Sequence, residues 1–299
     1  MISIIIPSYN SEDTIYRCLK ALFNQSYTGD YEVILADSSQ DHTRQIVREK
    51  FPGVRLIQFK AKTDPGTARN AAILQSKGDP ILFIDSDCIA EPDWIERMLA
   101  RHQNSAYAAV GGSILNGNDS GNVVARAGYL AEFREFLPGG TIRPVTHIPT
   151  CNISYKRFVF KEIGEFDASY YPQEDLVFNY RLCAAGHSIL FDPDIKIRHI
   201  HRTLLSDFLR HQFKIGKITA RVLRHYPLSG HRIVNNRLLL LLGILLVPFI
   251  KWVRTVNTFM KRDPYILIRQ PLAWIVFAIG LVPWTAGFLK QGLTGENHR

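Results

Sequence analysis

Short apolar runs alternate with segments of helical length through the first two thirds of the chain. Runs rich in β-branched residues predict four strands, at residues 2–6, 32–36, 54–59 and 81–85. The segments between them have helical composition and predict helices at residues 13–24, 42–50 and 67–75. This alternating order is typical of an α/β fold, in which helices flank a mixed, mostly parallel sheet.

The C-terminal third has a different pattern. Residues 238–250 and 271–289 are uncharged, and five basic residues separate them: Lys251, Arg254, Lys261, Arg262 and Arg269. The longer stretch could cross a bilayer, whereas the shorter one fits an interfacial or re-entrant helix. If both stretches crossed the bilayer, the basic residues between them would lie on the side of the membrane opposite the N-terminal domain, contrary to the positive-inside tendency. We therefore expect in-plane or re-entrant segments on the cytosolic leaflet, with two buried helices of a soluble domain as the alternative.

Charge is divided unevenly along the chain. Residues 1–195 carry 19 Lys+Arg and 24 Asp+Glu, a net charge of −5. Residues 196–299 carry 17 Lys+Arg and 3 Asp+Glu, a net charge of +14, and the two sum to the net +9 of the chain. Beside apolar stretches, this basic end indicates an anionic membrane surface rather than nucleic acid, for which we find no binding motif. We expect a catalytic domain over residues 1–230 and membrane-associated helices over 231–299.

A helix predicted over residues 204–224 is amphipathic and basic, and it could rest on lipid or pack on the protein core. At the other end, Met1 leads directly into the first strand without a basic leader, so we expect the N-terminal domain in the cytoplasm and the protein at the cell membrane. The four cysteines show no C-x-x-C spacing, which favours buried thiols over a zinc site or redox pair.

The acidic triplet Asp85-Ser86-Asp87 closes the fourth predicted strand. Alternation along a strand would put both carboxylates on one face, at the edge of the sheet where α/β proteins bind ligands. Carboxylate oxygens suit Mn²⁺ or Mg²⁺, which commonly also binds phosphate oxygens. Polar residues of 7–10 and Asp37 follow the first and second strands, so they are expected at the same edge. The pattern suggests a diphosphate ligand.

Five short strings in this order and spacing resemble family 2 glycosyltransferases of the GT-A (Rossmann-like) fold, over roughly residues 1–215. They are Pro7-Ser8-Tyr9-Asn10, Ala36-Asp37-Ser38-Ser39-Gln40-Asp41, Gly66-Thr67-Ala68-Arg69-Asn70, Asp85-Ser86-Asp87 and Gln173-Glu174-Asp175. The resemblance implies a nucleotide-sugar donor, and the C-terminal region is similar to that of membrane-associated members. A lipid-linked or envelope glycan acceptor follows from the expected location.

The resemblance also implies how the donor nucleotide is bound. Pro7 and Tyr9 would lie beside the base, with Tyr9 against the ring, and Asp37 would accept a hydrogen bond from a uracil-type N–H. Arg69 would contact the base or the diphosphate through its guanidinium fork. Asp85 would bind the ribose or a metal-bound water.

The remaining implied roles concern the cation and the chemistry. Asp87 would hold Mn²⁺ or Mg²⁺, and His199 is the better of two histidines, with His201, for a further ligand. Asp175 is the candidate general base, Glu174 would orient the acceptor, and a helix over residues 176–186 would follow them. Direct attack assisted by one base inverts the anomeric centre. The alternative role for Asp175 is a helix cap.

Two departures from the family pattern matter. Ser38 stands where the family usually has a second acidic residue, which bears on the choice of nucleotide, and residues 210–216 lack the Q-x-x-R-W string of processive polymerases. We therefore expect one sugar per acceptor. A sugar nucleotidyltransferase would need a Gly-rich basic loop after the first strand, where this chain has Ser8-Tyr9-Asn10-Ser11. A catalytically silent, membrane-tethered sugar-nucleotide-binding scaffold is the other alternative.

Overall fold

The computed structural model describes residues 1–103, 106–119 and 121–294. They form two compact units. The sheet unit comprises Met1–Gly117 and Phe136–Ile200, and the helical unit comprises Asn118–Glu135 and the chain from His201 onward. The predicted functional division at residue 230 stays a prediction.

One mixed sheet forms the centre of the sheet unit, and its spatial order is β3-β2-β1-β4-β8-β6-β9-β5, with β7 beside β9. The first four strands are mutually parallel, whereas β8 is antiparallel to both β4 and β6. The strands are β1 (Ile2–Ser8), β2 (Tyr31–Asp37), β3 (Arg55–Gln58), β4 (Ile81–Phe83), β5 (Cys88–Ala90), β6 (Ala109–Asn116), β7 (Arg143–Val145), β8 (Ile153–Tyr155) and β9 (Ile189–His199). The predicted α/β class is confirmed.

The helices follow the expected alternation in the first half of the chain. They are α1 (Ile15–Phe23), α2 (Thr43–Lys50), α3 (Pro65–Gln75), α4 (Trp94–Gln103), α5 (Val123–Glu132), α6 (Phe158–Glu162), α7 (Glu174–Ala184), α8 (Leu205–His225), α9 (His231–Val234), α10 (Arg237–Met260), α11 (Ile266–Arg269) and α12 (Pro271–Thr294). Each of the seven elements predicted in the first half overlaps an observed one.

Local chemistry explains the element that carries Arg69. Asp64 precedes α3 and accepts a hydrogen bond from the backbone N–H of Thr67 at 2.9 Å, which satisfies one of the free donors of the first turn. Pro65 opens the helix, where its fixed φ is favourable and its missing N–H costs nothing. Ala68 and Arg69 lie on the buried side of α3. The helix therefore presents Arg69 to the interior of the unit.

The helical unit contains α5 and α8–α12. The helix predicted over residues 204–224 matches α8, and the predicted stretch 238–250 is the first half of a longer helix, α10, whose segments Arg237–Gly243 and Leu246–Met260 meet at a bend of 54°. By length and composition, α12 is the one unbroken helix in the described chain that could cross a membrane, and the two segments of α10 pass the same test only together.

Candidate functional site

The loops that follow β1, β2 and β4 meet at one edge of the sheet. Ser11, after β1, is hydrogen bonded to Ser86 of the acidic triplet through their hydroxyl oxygens, 2.8 Å apart. The backbone N–H of Asn10 donates to the hydroxyl of Ser39, after β2, at 2.8 Å. Parallel strands bring their carboxyl ends to the same edge, and these contacts join the three loops there.

Asp37 ends β2, and its side chain is completely buried. One carboxylate oxygen accepts from Arg44 Nε at 2.6 Å and from the backbone N–H of Ser39 at 3.1 Å, and the other accepts from the Ser39 hydroxyl at 2.5 Å. A carboxylate oxygen can accept more than one hydrogen bond, but this side chain is not exposed, so its contact with a base N–H stays a prediction. The sequence did not single out Arg44, since a lone arginine on a surface helix carries no distinguishing signal.

Tyr9 and Pro7 lie at the end of β1. Pro7 is a buried residue of the strand, and Tyr9 is half-buried just beyond it. The ammonium nitrogen of Lys62, in the loop after β3, lies 4.1 Å from the centroid of the Tyr9 ring, which is the geometry of a cation–π contact. Sequence reasoning missed Lys62. An aromatic face beside an ammonium group suits a base with an attached phosphate.

The acidic triplet does not continue the strand, so the alternation argument for Asp85 and Asp87 was wrong. β4 ends at Phe83, and the chain turns so that the N–H of Cys88 donates to the carbonyl oxygen of Asp85 at 3.0 Å. The two carboxylates consequently have different partners. Asp85 accepts from Arg69, whereas Asp87 Oδ1 lies 3.6 Å from His199 Nε2.

Arg69 bridges two carboxylates that are distant in sequence. Its side chain is 3% exposed, and its two terminal nitrogens donate to Asp85 Oδ1 at 2.6 Å and to Glu174 Oε1 at 2.8 Å. Burial opposes the charge, but Asp85 and Glu174 raise the pKa of Arg69 above its ordinary value. Arg69 thus holds the triplet loop to the start of α7. Its contact with a donor stays a prediction, as does a contact between Glu174 and an acceptor.

Glu174 is unusual for a carboxyl group in an ion pair. Burial raises the pKa of Glu174 to about 7, and the Arg69 guanidinium only partly offsets this. Only one of its oxygens faces Arg69. In the part of the chain that the structure describes, Glu174 Oε2 is buried and has no hydrogen-bond partner.

Glu174→Gln should therefore change how stability depends on pH. The native pKa lies above the unfolded value of about 4.3, so the native state retains the proton that the unfolded state loses, and stability falls as pH rises through this window to about 7. We expect the melting temperature of the wild type to fall relative to that of the variant between these limits, and the difference to level off above pH 7. Parallel profiles in scanning calorimetry would contradict the shifted pKa.

Asp175 lies in the first turn of α7, next to Glu174. One of its oxygens accepts from the backbone N–H of Leu176 at 2.7 Å, and the other accepts from that of Thr150 at 3.1 Å. The predicted helix 176–186 in fact begins at Glu174 and ends at Ala184, and Gly186 beyond it has a φ of +88°. The carboxylate therefore lies at the positive end of the helix dipole. The side chain is half-buried and thus within reach of a ligand.

A candidate metal centre lies at the start of β5. Asp87, Cys88 and His199 each offer one ligand atom, and these three atoms lie within 4.8 Å of one another. The antiparallel register of β5 and β9 pairs Cys88 directly with His199. Oxygen and imidazole nitrogen ligands fit Mn²⁺ or a similar divalent cation. A thiol is a soft ligand that suits softer metals than Mn²⁺ or Mg²⁺, so Asp87 and His199 are the main candidates.

Three of the four cysteines, Cys18, Cys88 and Cys151, are free and buried, as expected. Cys88 also belongs to a group that could hold a metal, although no C-x-x-C spacing marks it. The signal is a strand register, which sequence spacing does not reveal. The second candidate histidine, His201, is in the helical unit, where its ring packs against Tyr129 and Phe133 at centroid distances of 5.9 and 5.4 Å. Aromatic packing therefore accounts for His201.

Comparison with known proteins gives a consistent result. Residues 3–164 match the family described as Glycosyl transferase family 2. The chain is 28% identical over 252 residues to the glycosyltransferase AglE of Haloferax volcanii, and the match covers 83% of this chain and 82% of that protein.

Solved structures with low sequence identity share the fold. The mannosyltransferase PcManGT from Pyrobaculum calidifontis, in complex with GDP-Man and Mn²⁺, matches with a TM-score of 0.65 at 16% identity, over 99% of this chain and 88% of that chain. TarS 1–349 of S. aureus, in complex with UDP, matches with a TM-score of 0.54 at 19% identity, over 100% of this chain and 93% of that chain.

Proposed function

Because the chain belongs to glycosyl transferase family 2, we propose that it moves one sugar from a UDP-sugar to an acceptor hydroxyl, with inversion and with the aid of a divalent metal. Family membership establishes a nucleotide-sugar-dependent glycosyltransferase. The observation that carries the finer proposal is the meeting of the loops after β1, β2 and β4 at one sheet edge, where Asp87, His199 and the Arg69 ion-pair bridge also lie.

Three side chains support a UDP-type donor. Tyr9 offers an aromatic ring for the base, Lys62 supplies positive charge over one face of that ring, and Asp37 offers a fixed carboxylate as the acceptor for a base N–H. A base without that N–H would lose this hydrogen bond, while Asp37 would keep its donors from Arg44 and Ser39. Arg44 keeps Asp37 in one orientation, so the recognition would not depend on a flexible side chain.

Asp87 and His199 would hold the cation. A bound Mn²⁺ or Mg²⁺ neutralises the charge that develops on the diphosphate as it leaves. Arg69 is held by Asp85, two residues before Asp87 in the chain, and by Glu174.

Asp175 would take the proton of the acceptor hydroxyl while that oxygen attacks the anomeric carbon. The two backbone donors at Thr150 and Leu176 hold its carboxylate in place. The adjacent carboxyl, Glu174, is engaged by Arg69, which leaves Asp175 as the candidate for the base at the start of α7. One displacement then inverts the configuration.

The acceptor is proposed to be a lipid-linked or envelope glycan at the cytosolic membrane face. The apolar helix α12 and the basic C-terminal third support this location. A glycan anchored in lipid would then be available to an enzyme held at the same surface.

A transfer assay tests this proposal. Full-length protein is incubated with labelled UDP-sugars, Mn²⁺ and a lipid extract of the source organism. We expect label in the lipid phase, release of UDP, loss of both with a chelator, and an anomeric configuration opposite to that of the donor. Retained configuration would contradict the single displacement, and UDP binding without transfer from any UDP- or GDP-sugar would support the silent scaffold.

A further inference from the structure

One side of α12 is apolar and exposed to solvent. Leu272, Ile275, Ile279 and Val282 are 45% to 70% exposed, and their spacing places them on one face of the helix. Helix α10 of the same unit exposes Leu238 and Leu242 before its bend and Leu246 and Phe249 after it, each 58% to 65% exposed. We call these two sets the apolar stripes. Exposed apolar surface of this extent marks an interaction site.

The other side of α12 packs closely along α8. A methyl group on Gly216 of α8 would overlap the carbonyl oxygen of Trp284, and one on Gly287 of α12 would overlap that of Phe213. Further along, Arg224 donates to the carbonyl oxygen of Gly292 at 2.6 Å. Because the two backbones are in contact at these points, α12 cannot enter a membrane without α8.

Helix α8 is unsuited to hydrocarbon. Its outer side carries Arg210, Lys214 and Lys217, all exposed, and a rise of 1.5 Å per residue spreads these charges over about 10 Å along the axis. If α12 crossed a bilayer, the part of α8 packed against it would bring these charges into the membrane, at a high free-energy cost. The paired helices therefore oppose a spanning α12, although its length and composition would allow one.

We propose that α10 and α12 lie in the plane of an anionic membrane surface and insert the apolar stripes among the acyl chains. This rests on the membrane association proposed above and defines how it is achieved. Exposed basic side chains at the helix ends and between the helices, Arg237, Lys261, Arg269 and Lys290, match acidic headgroups in charge. That charge complementarity selects a lipid surface over a second copy of this basic chain.

Labelling from one side of the membrane tests the in-plane arrangement. Asp263→Cys and Lys290→Cys are made in a Cys183→Ser background, since the other three cysteines are buried. Sealed inside-out vesicles are then treated with an impermeant maleimide, with the exposed Lys161→Cys in the sheet unit as reference. We expect all three positions to react from the cytosolic side. Reaction of either C-terminal position only from the opposite side would show a span and overturn the proposal.

Vesicle flotation tests the stripes themselves. Ile275→Glu combined with Ile279→Glu should lower binding to vesicles of phosphatidylcholine and phosphatidylserine by at least about tenfold. Leu74→Glu is the matched control, because Leu74 on α3 is 78% exposed but lies outside the stripes, and its binding should be unchanged. Unchanged flotation of the double variant would contradict the proposal that lipid covers the apolar stripes. The same holds if the double variant loses a dimer but still floats.

Nucleotide binding separates this inference from the proposed function. The double variant should retain Mn²⁺-dependent UDP binding, which also shows that it is folded. If the wild type floats with vesicles but binds no nucleotide, the proposed donor site fails and the membrane arrangement stands. If the wild type binds UDP but does not float with vesicles, the membrane arrangement fails and the proposed donor site stands.

Discussion

Asp175→Asn is expected to slow sugar transfer by at least about a hundredfold, which is the scale of the contribution of a positioned general base. Donor affinity should stay nearly unchanged. An amide cannot take the proton of the acceptor hydroxyl. The variant side chain retains the size of Asp175 but only one acceptor oxygen, so it can keep one of the two backbone donors, Thr150 or Leu176, which bond to different oxygens of Asp175. Steady-state transfer rates and UDP titration of both proteins provide the measurement.

A second aspartate controls for a purely structural effect. Asp167 caps the short helical turn before α7 and accepts from the backbone N–H of Ser169 at 3.0 Å, a contact like those of Asp175. Asp167→Asn should lose some stability but no more than a small part of the activity. Unimpaired transfer by Asp175→Asn would remove Asp175 from the mechanism. Equal losses in both variants, in step with their melting temperatures, would assign Asp175 to capping alone.

Asp87→Ala is expected to abolish the metal-dependent part of donor binding. Removal of its carboxylate leaves the imidazole of His199 and the buried thiol of Cys88, a ligand set that lacks the hard anionic oxygen that Mn²⁺ and Mg²⁺ prefer. The variant should bind UDP in Mn²⁺ as weakly as the wild type does in excess chelator. Calorimetric titration under both conditions checks this.

Asp93 provides a matched control for that substitution, because its side chain is 41% exposed, the same as Asp87, and it pairs with Arg97 on α4. Asp93→Ala removes one negative charge from the same unit without touching the candidate metal centre. It should bind UDP as the wild type does. If neither Asp87→Ala nor the chelator changed the affinity for UDP, the assignment of Asp87 as a metal ligand would be contradicted.

The fold was accessible from the sequence because three of the first four strands, β1, β2 and β4, lie largely inside the core, where apolar runs mark them, while β3 lies half-buried at the edge of the sheet. Every residue of β1 is buried, and Ile81–Phe83 at the centre of the sheet is equally enclosed. Parallel order then follows from the intervening helices, and with it the edge where the polar loops meet.

The finer arrangement depends on contacts between distant segments, which periodicity does not encode. The turn after Phe83 separates Asp85 from Asp87, and the bridge from Arg69 to Glu174 joins residues 105 positions apart. Cys88 meets His199 only through the register of β5 and β9. Lys62 and Arg44 reach the site from surface positions, where charged residues are ordinary in any sequence.

Calorimetric binding of UDP and GDP to the detergent-purified full-length protein tests the proposed metal-dependent site for a uridine nucleotide. With Mn²⁺ present, UDP should bind and GDP should bind more weakly, and excess chelator should remove the UDP signal. Binding of neither nucleotide, or UDP binding that the chelator does not affect, would contradict the account.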